Sequence, residues 1–260
     1  MQDDDEVQLR LPVPPRSMYT RELMGDVAAE TSVDRPSNIA VMKRARPYNR
    51  DVALDAAITL FWRKGWHGTS LKDLEAVLSM KPGSIYAAFK SKEALFLEAF
   101  ERYIARSQAR LEARMEAAET VLEGLAGHLR GIAQPAGDNP AVCFIAKTML
   151  ETGPGDGAIA ERSRAGFDAM LDQFVHIFRR AKAEGELPAD VDPDLIARRY
   201  QVQVAALRIE AYRGTDAQTL SALVETMVAD LEELGRRAEA EKASGRRSRA
   251  GGGIRAARRA

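Results

Sequence analysis

A single cysteine, Cys143, stands among 260 residues. No disulfide can therefore form within the chain, and a reducing compartment is expected. Histidine is almost as scarce. His67, His128 and His176 lie far apart, none with a Cys or carboxylate at metal-ligand spacing, so neither a metal nor another cofactor is expected. No apolar run approaches the roughly 20 residues needed to span a bilayer. The opening Met1-Gln2-Asp3-Asp4-Asp5-Glu6 is acidic and lacks the apolar stretch of a signal peptide. A cytoplasmic protein without membrane contact is the expectation. The chain also has no glycine-rich phosphate cradle, no Ser/His/Asp set and no convincing pair of carboxylates, which argues against an enzyme. Strand-like alternation is missing. Even an excess of one charge is missing, because 38 Lys and Arg balance 38 Asp and Glu.

That balance hides an uneven distribution. Between Lys43 and Lys92 ten bases meet four acids, a surplus of six, so the remainder of the chain is acidic by the same amount. A basic module on an acidic body suits a protein that meets phosphate at one end only. Residues 1–45 hold Pro12, Pro14, Pro15 and Pro36, show no sustained period, and read as a disordered leader. Met42 precedes Lys43-Arg44-Ala45-Arg46-Pro47, which leaves two alternatives open, a flexible arm or a start further downstream.

From Asn49 the pattern becomes helical. Leu54, Ala57, Ile58, Phe61 and Trp62 form one apolar stripe that Gly65 ends, after the basic last turn Arg63-Lys64. Thr69 or Ser70 caps a second helix over Leu71–Leu78, Ser79-Met80-Lys81-Pro82 breaks it, and Pro82 suits the first turn of a third helix through Phe89. Ser91 caps a fourth that carries Leu95, Phe96, Phe100 and Tyr103. Two short helices joined by about four residues have the spacing of a helix-turn-helix, whose second helix enters the major groove. In that helix Ile85 and Phe89 lie four apart and face Leu71 and Leu74, which leaves Gly83, Ser84, Tyr86, Ala87 and Lys90 outside. Arg50 and Lys72 read as solvated charges.

Thr69-Ser70-Leu71-Lys72-Asp73-Leu74, followed by Gly83-Ser84-Ile85-Tyr86-Ala87-Ala88-Phe89-Lys90-Ser91-Lys92-Glu93-Ala94-Leu95-Phe96, resembles the tetracycline-repressor (TetR/AcrR) family of regulators. The upstream segment from Ala56 to Thr69 matches the same pattern. The resemblance covers about 60 residues and implies an all-α protein. In it, an N-terminal three-helix DNA-binding domain with a helix-turn-helix precedes a helical ligand-binding and dimerisation domain. It also implies phosphate contacts from Thr69, Tyr86 and Lys92, with Ser70 beside them at the cap, and groove contacts from Lys81, Ser84 and Lys90. Two departures stand out: Ser79 occupies a turn position where the family has glycine, and Pro82 adjoins the recognition helix.

The expected organisation is a leader over 1–45, the reader over 46–103, a helical body over 104–240, and a basic disordered tail over 241–260. That tail carries Arg246, Arg247, Arg249, Arg255, Arg258 and Arg259. Breaks near Pro135–Pro140, Gly153–Gly155, Gly185–Pro188 and Gly214 divide the body into five or six helices of roughly 12–28 residues. Ile196, Tyr200, Val204, Leu207 and Ala211 form one stripe, and Leu220, Leu223, Met227, Leu231 and Leu234 another. Either is intrachain core or, as the resemblance implies, part of a four-helix homodimer interface.

A pocket for a small-molecule effector is expected among Cys143, Phe144, Met149, Phe167, Met170, Phe174 and Phe178, each of which reads equally as plain core. The resemblance adds that Cys143 stands near a cysteine that senses electrophiles in some relatives, with Lys147 one turn on to lower its pKa. The function expected is a ligand-responsive repressor that binds double-stranded DNA at a palindromic operator. A non-specific architectural DNA binder is the alternative.

Overall fold

A computed structural model describes residues 49–134 and 142–256, with side chains through Arg246 in the last helix. The leader expected over 1–45 and the break at Pro135–Pro140 lie outside these residues. Among the described residues there are nine α-helices, one 3-10 turn and no strand: α1 Arg50–Lys64, α2 Leu71–Leu78, α3 Pro82–Phe89, α4 Lys92–Ala117, α5 Val121–Ala133, α6 Phe144–Glu151, the turn Pro154–Asp156, α7 Gly157–Ala183, α8 Pro193–Tyr212 and α9 Ala217–Ala256. No helix described is long and apolar enough to cross a membrane.

The first four helices start and stop where local chemistry dictates. Asn49 accepts from the amides of Asp51 and Val52 at the head of α1. Gly65 closes it at φ +79 and donates its N–H to Phe61 O. Ser70 caps α2 in a reciprocal box with Asp73, which Lys64 reaches at 2.5 Å. Ser91 caps α4 through the Ala94 amide. Between α2 and α3 the chain turns at Ser79, a left-handed residue at φ 53 and ψ 37 that is not glycine.

Two apolar clusters fill the interior. One joins α1, α2, α3 and the first half of α4 around Phe61, Leu74, Ile85, Phe96 and Phe100, and it also takes in Cys143, Phe144, Ile145 and Ile159. The other joins α5, α7, α8, α9 and the end of α4 around Leu125, Phe174, Phe178, Tyr200 and Val224. Helix α4 passes through the boundary expected at 103/104 without a break, so the reader and the body share one rigid rod.

Three expectations about the body meet a different arrangement. Helix α6 has only eight residues and α9 has forty, against the 12–28 expected. The helix also does not stop at 240, where a disordered tail was expected. Glu241 accepts from the Ala189 amide and Lys242 donates to Glu184 O, so the α7–α8 loop holds this turn. The α8 stripe is intrachain core: Tyr200, Val204 and Leu207 are buried, while Ile196 and Ala211 pack against them. On α9, Leu220 and Leu231 are buried beside Val224 and Val228, and Leu223 stays exposed.

A β-carbon in the left-handed region costs roughly 1–2 kcal/mol, part of which glycine returns through the freedom of its unfolded chain. Ser79→Gly should therefore raise stability by about 0.5–1 kcal/mol, read as a shift in the urea midpoint at unchanged slope.

Candidate nucleic-acid interface

Helix α3 divides into two faces. Ile85 and Phe89 are buried against the head core, while Gly83, Ser84, Tyr86, Ala87 and Lys90 are exposed, as their spacing predicts. Tyr86 is 47% exposed. A β-carbon at Gly83 would meet nothing within 4 Å, so packing does not require glycine there, and the bare backbone is open to close approach. No acid lies on α3, and the exposed Lys81 and Lys90 bracket it. Lys90 leaves the helix at φ 68 and ψ −50, in a tight turn closed by the Ser91 amide on Phe89 O at 2.8 Å.

Two of the expected phosphate contacts are engaged elsewhere, and this is a correction. Thr69 is only 1% exposed and its hydroxyl donates to Gly65 O at 2.6 Å, because the α1–α2 turn needs that carbonyl satisfied. Lys92 is half-buried, donates to Trp66 O at 2.7 Å, and stands 4.1 Å from the centre of the Trp66 ring. Burial lowers its pKa, and the charge of Glu151 acts in the opposite direction. Ser70 is exposed, but its hydroxyl already serves Asp73. Arg50 is not simply solvated: it pairs with Glu98, donates to Ala88 O and stacks on Phe89, tying α1 to the end of α3. Lys72 is exposed, as expected.

The turn that carries Thr69 is held by the body. Glu151, at the end of α6, accepts from the amides of Trp66 at 3.0 Å and His67 at 2.8 Å. A β-carbon on Gly65 would fall 2.3 Å from a Glu151 carboxylate oxygen and push that carboxylate off the turn, and the φ of +79 disfavours any other residue there. His67 is exposed, and its Nε2 lies 3.1 Å from Asp156. Glu151 escapes sequence reasoning because nothing local distinguishes it from other helix-end glutamates.

Inside the body a cavity of about 270 Å³ opens between α4, α5, α7 and α8. Cys143, Met170 and Phe174 line it. Phe167 instead borders a neighbouring cavity of about 30 Å³, shared with Cys143 and Met170. Phe144 is no ligand wall: it sits in the aromatic cluster with Phe96, Phe100 and Tyr103, at ring distances of 5.6, 5.3 and 5.4 Å. Met149 and Phe178 line neither cavity. The ammonium of Lys147 donates to Trp62 O and Arg63 O at the end of α1. The Cys143 thiol accepts from the Tyr103 hydroxyl at 3.9 Å.

His128, Arg114 and Arg208 also border the cavity and were not foreseen. The Tyr200 hydroxyl donates to Leu125 O, so it accepts from His128 Nδ1 at 2.8 Å, which leaves Nε2 without a proton. His128 is half-buried and borders the cavity. Burial, Arg208 and Arg114 push its pKa down to about 3.

Comparison with known proteins follows the same division. Residues 53–99 match the family described as "Bacterial regulatory proteins, tetR family", and residues 109–219 match the "Tetracyclin repressor-like, C-terminal domain". The HTH-type transcriptional repressor ComR of Escherichia coli K12 is 34% identical over 191 residues, spanning 70% of this chain and 90% of that protein. The uncharacterized HTH-type transcriptional regulator YezE of Bacillus subtilis 168 is 30% identical over 162 residues, 60% of this chain and 82% of that protein. A solved structure of the regulator CifR, a cysteine mutant complexed with a 26-bp double-strand operator DNA, superposes with a TM-score of 0.66 at 30% identity. The match covers 72% of this chain and 98% of that one.

Glu151→Ala strips a charged acceptor from two amides and should cost about 1–3 kcal/mol, measured by urea unfolding followed through Trp62 and Trp66 fluorescence, with Glu151→Gln losing less. The His128 pKa is depressed on folding, so between about 3 and its ordinary 6.5 the unfolded chain holds a proton that the folded chain does not. Acidification from pH 7 to 5 should therefore destabilise the protein, by at most about 1.4 kcal/mol per pH unit from this one group. His128→Gln should show a smaller drop over that window and no difference in slope above pH 7.

Proposed function

The chain belongs to the TetR family of bacterial transcriptional regulators, and from that premise we propose that it is a repressor that grips a palindromic operator as a homodimer and releases it when a small molecule enters the body cavity. As a DNA-binding transcription factor it is not an enzyme. The observation that carries the reading is the outer face of α3: small and polar residues, no acid, a lysine at each end, on a helix braced from behind by Arg50 and the head core.

On this reading residues 46–103 form the reader and 104–240 the effector-binding and pairing body of a cytoplasmic protein. Ser84 and Lys81 reach base edges, Lys90 and Tyr86 meet phosphate or groove, and Ser70 adds a contact beside the α2 cap. Thr69 and Lys92 act from behind, by fixing the turn and the start of α4 against which the two short helices rest.

Pairing is supported by a second apolar stripe on α8. Leu195, Val202 and Ile209 recur every seventh residue on the side of the helix roughly opposite its core stripe. With Tyr212 they are 49–67% exposed, and Leu223 of α9 is 38% exposed. Burying such a patch against its own copy places two readers on one duplex, about one helical turn, roughly 34–36 Å, apart.

The effector route follows α4. Tyr103, Ile104, Gln108 and Leu111 wall the cavity on the same helix whose first turn holds Lys92 against Trp66. A compound that favours one tilt of α4 changes the reader only if it binds that state more tightly.

Selection of bound duplexes from a random pool should return a palindrome preferred about 10³-fold or more over unrelated duplexes. Ser84→Ala should alter the preferred bases, and Lys90→Ala should lower the salt slope by about 1 without changing the preference. Ile209→Glu should yield a monomer that no longer selects paired half-sites. Equal affinity for all duplexes, with parallel salt slopes, would favour the architectural alternative instead.

A further inference from the structure

The chemistry of the cavity wall specifies what enters it. Three arginines, Arg110, Arg114 and Arg208, line the cavity, and among the described residues its lining holds no aspartate or glutamate. Arg110 and Arg114 are exposed and Arg208 is half-buried, yet among the described residues none of the three meets a carboxylate, unlike other arginines of the chain. Arg102, Arg106, Arg130, Arg162 and Arg179 each meet a carboxylate. Arg208 is half-buried and has no hydrogen bond or ion pair among the described residues. Arg114 donates only to Gly127 O, at 3.1 Å, and Arg110 only to Ser107 Oγ.

The side chain of Arg114 lies along the backbone of α5. β-Carbons on Gly127 and Gly131, one turn apart, would each lie 3.5 Å from a guanidinium nitrogen of that residue. The charge of Arg208 is felt by Tyr103 and by His128, groups on opposite helices of the cavity, α4 and α5. His128 itself stays neutral at physiological pH, so the positive potential comes from the arginines alone. Ser107, Gln108 and Gln173 add neutral polar groups to the wall, and Trp62, Ile104, Leu111, Ile132, Phe174 and Val204 supply its apolar part. Arg208, half-buried and without a counter-charge among the described residues, remains poorly compensated until an anion arrives.

We propose that this cavity takes an amphipathic organic anion, with a carboxylate meeting Arg208 and Arg114 and an apolar body lying along Trp62, Ile104 and Phe174. The inference rests on reading the cavity as the effector site. It adds the charge and class of the effector, which no family-wide feature supplies. An arginine–carboxylate pair forms with a forked geometry that a hydroxyl or an amine does not reproduce. Discrimination therefore follows head-group charge rather than chain length.

The test uses the full chain and three probes with one body and three heads: octanoate, octanol and octylamine. Calorimetry at pH 7 should find octanoate bound about 10- to 100-fold more tightly than octanol, and octylamine not bound. Arg208→Met and, separately, Arg114→Met should each shrink that preference, while Arg208→Lys keeps part of it. Unchanged affinity of these variants for the selected duplex, without ligand, shows that they are folded. Octanol binding as tightly as octanoate, or a preference untouched in both Met variants, overturns the charge assignment and leaves the cavity as an effector site. If none of the three binds and none loosens the duplex, the effector-site reading falls together with it.

Discussion

The reader is built around a carboxylate that belongs to the body. Glu151 accepts from the amides of Trp66 and His67, in the turn between α1 and α2. Gly65 turns left-handed and keeps its space empty to admit it. The same turn presents the Gly65 carbonyl to Thr69 and the Trp66 carbonyl to Lys92, so the α2 cap and the start of α4 inherit their positions from it. Phe144 and Ile145, at the other end of α6, fill the head core. A short helix of the body thus serves as both plug and clasp, and α4 runs alongside as the continuous rod. Whatever moves α6 or α4 moves the platform on which the two short helices rest.

Basic residues that look alike in the sequence meet three fates, and local partners decide between them. Lys147 and Lys92 turn inward because the ends of α1 and of its following turn offer unsatisfied carbonyls, where a cation is favoured by the helix dipole as well as by hydrogen bonding. Arg102 and Arg106 clip α4 to Asp51 and Asp55 of α1. These are exposed pairs that salt screens, so they align the helices more than they stabilise them. Lys81 and Lys90 remain outward on the reader, and Arg114 and Arg208 remain at the cavity. The overall charge balance conceals all of this.

Much of the head was legible because its signals are local. Caps at Ser70 and Ser91, the stop at Gly65 and the four-residue spacing of Ile85 and Phe89 each act within a turn or two of chain. The Ser79 substitution was legible for the same reason, and the residue does adopt the left-handed conformation that a glycine would accept more readily. The roles of Thr69, Lys92 and Phe144 were not legible, because each depends on a partner brought from 26 to 85 residues away or on a turn whose shape Glu151 sets. The stripes of α8 show another limit. Periodicity reports that a face is apolar, but a helix with two such faces does not say which one its own chain covers. His128 has no local signal for its role, which lies in the fixed proton that Tyr200 assigns to it.

Ser79 and Lys90 stand at the two ends of α3, and both hold backbone conformations that side-chain-bearing residues resist. The recognition helix is therefore suspended between two sprung joints, kept in place by Ile85, Phe89 and the Arg50 brace rather than by its own inclination. Such a segment is among the first to fray as temperature rises, well before the aromatic core beneath it melts. Amide exchange would be fastest there, and grip on the duplex would fade in a range where calorimetry still records an intact fold. A regulator assembled in this way loosens with heat before it denatures.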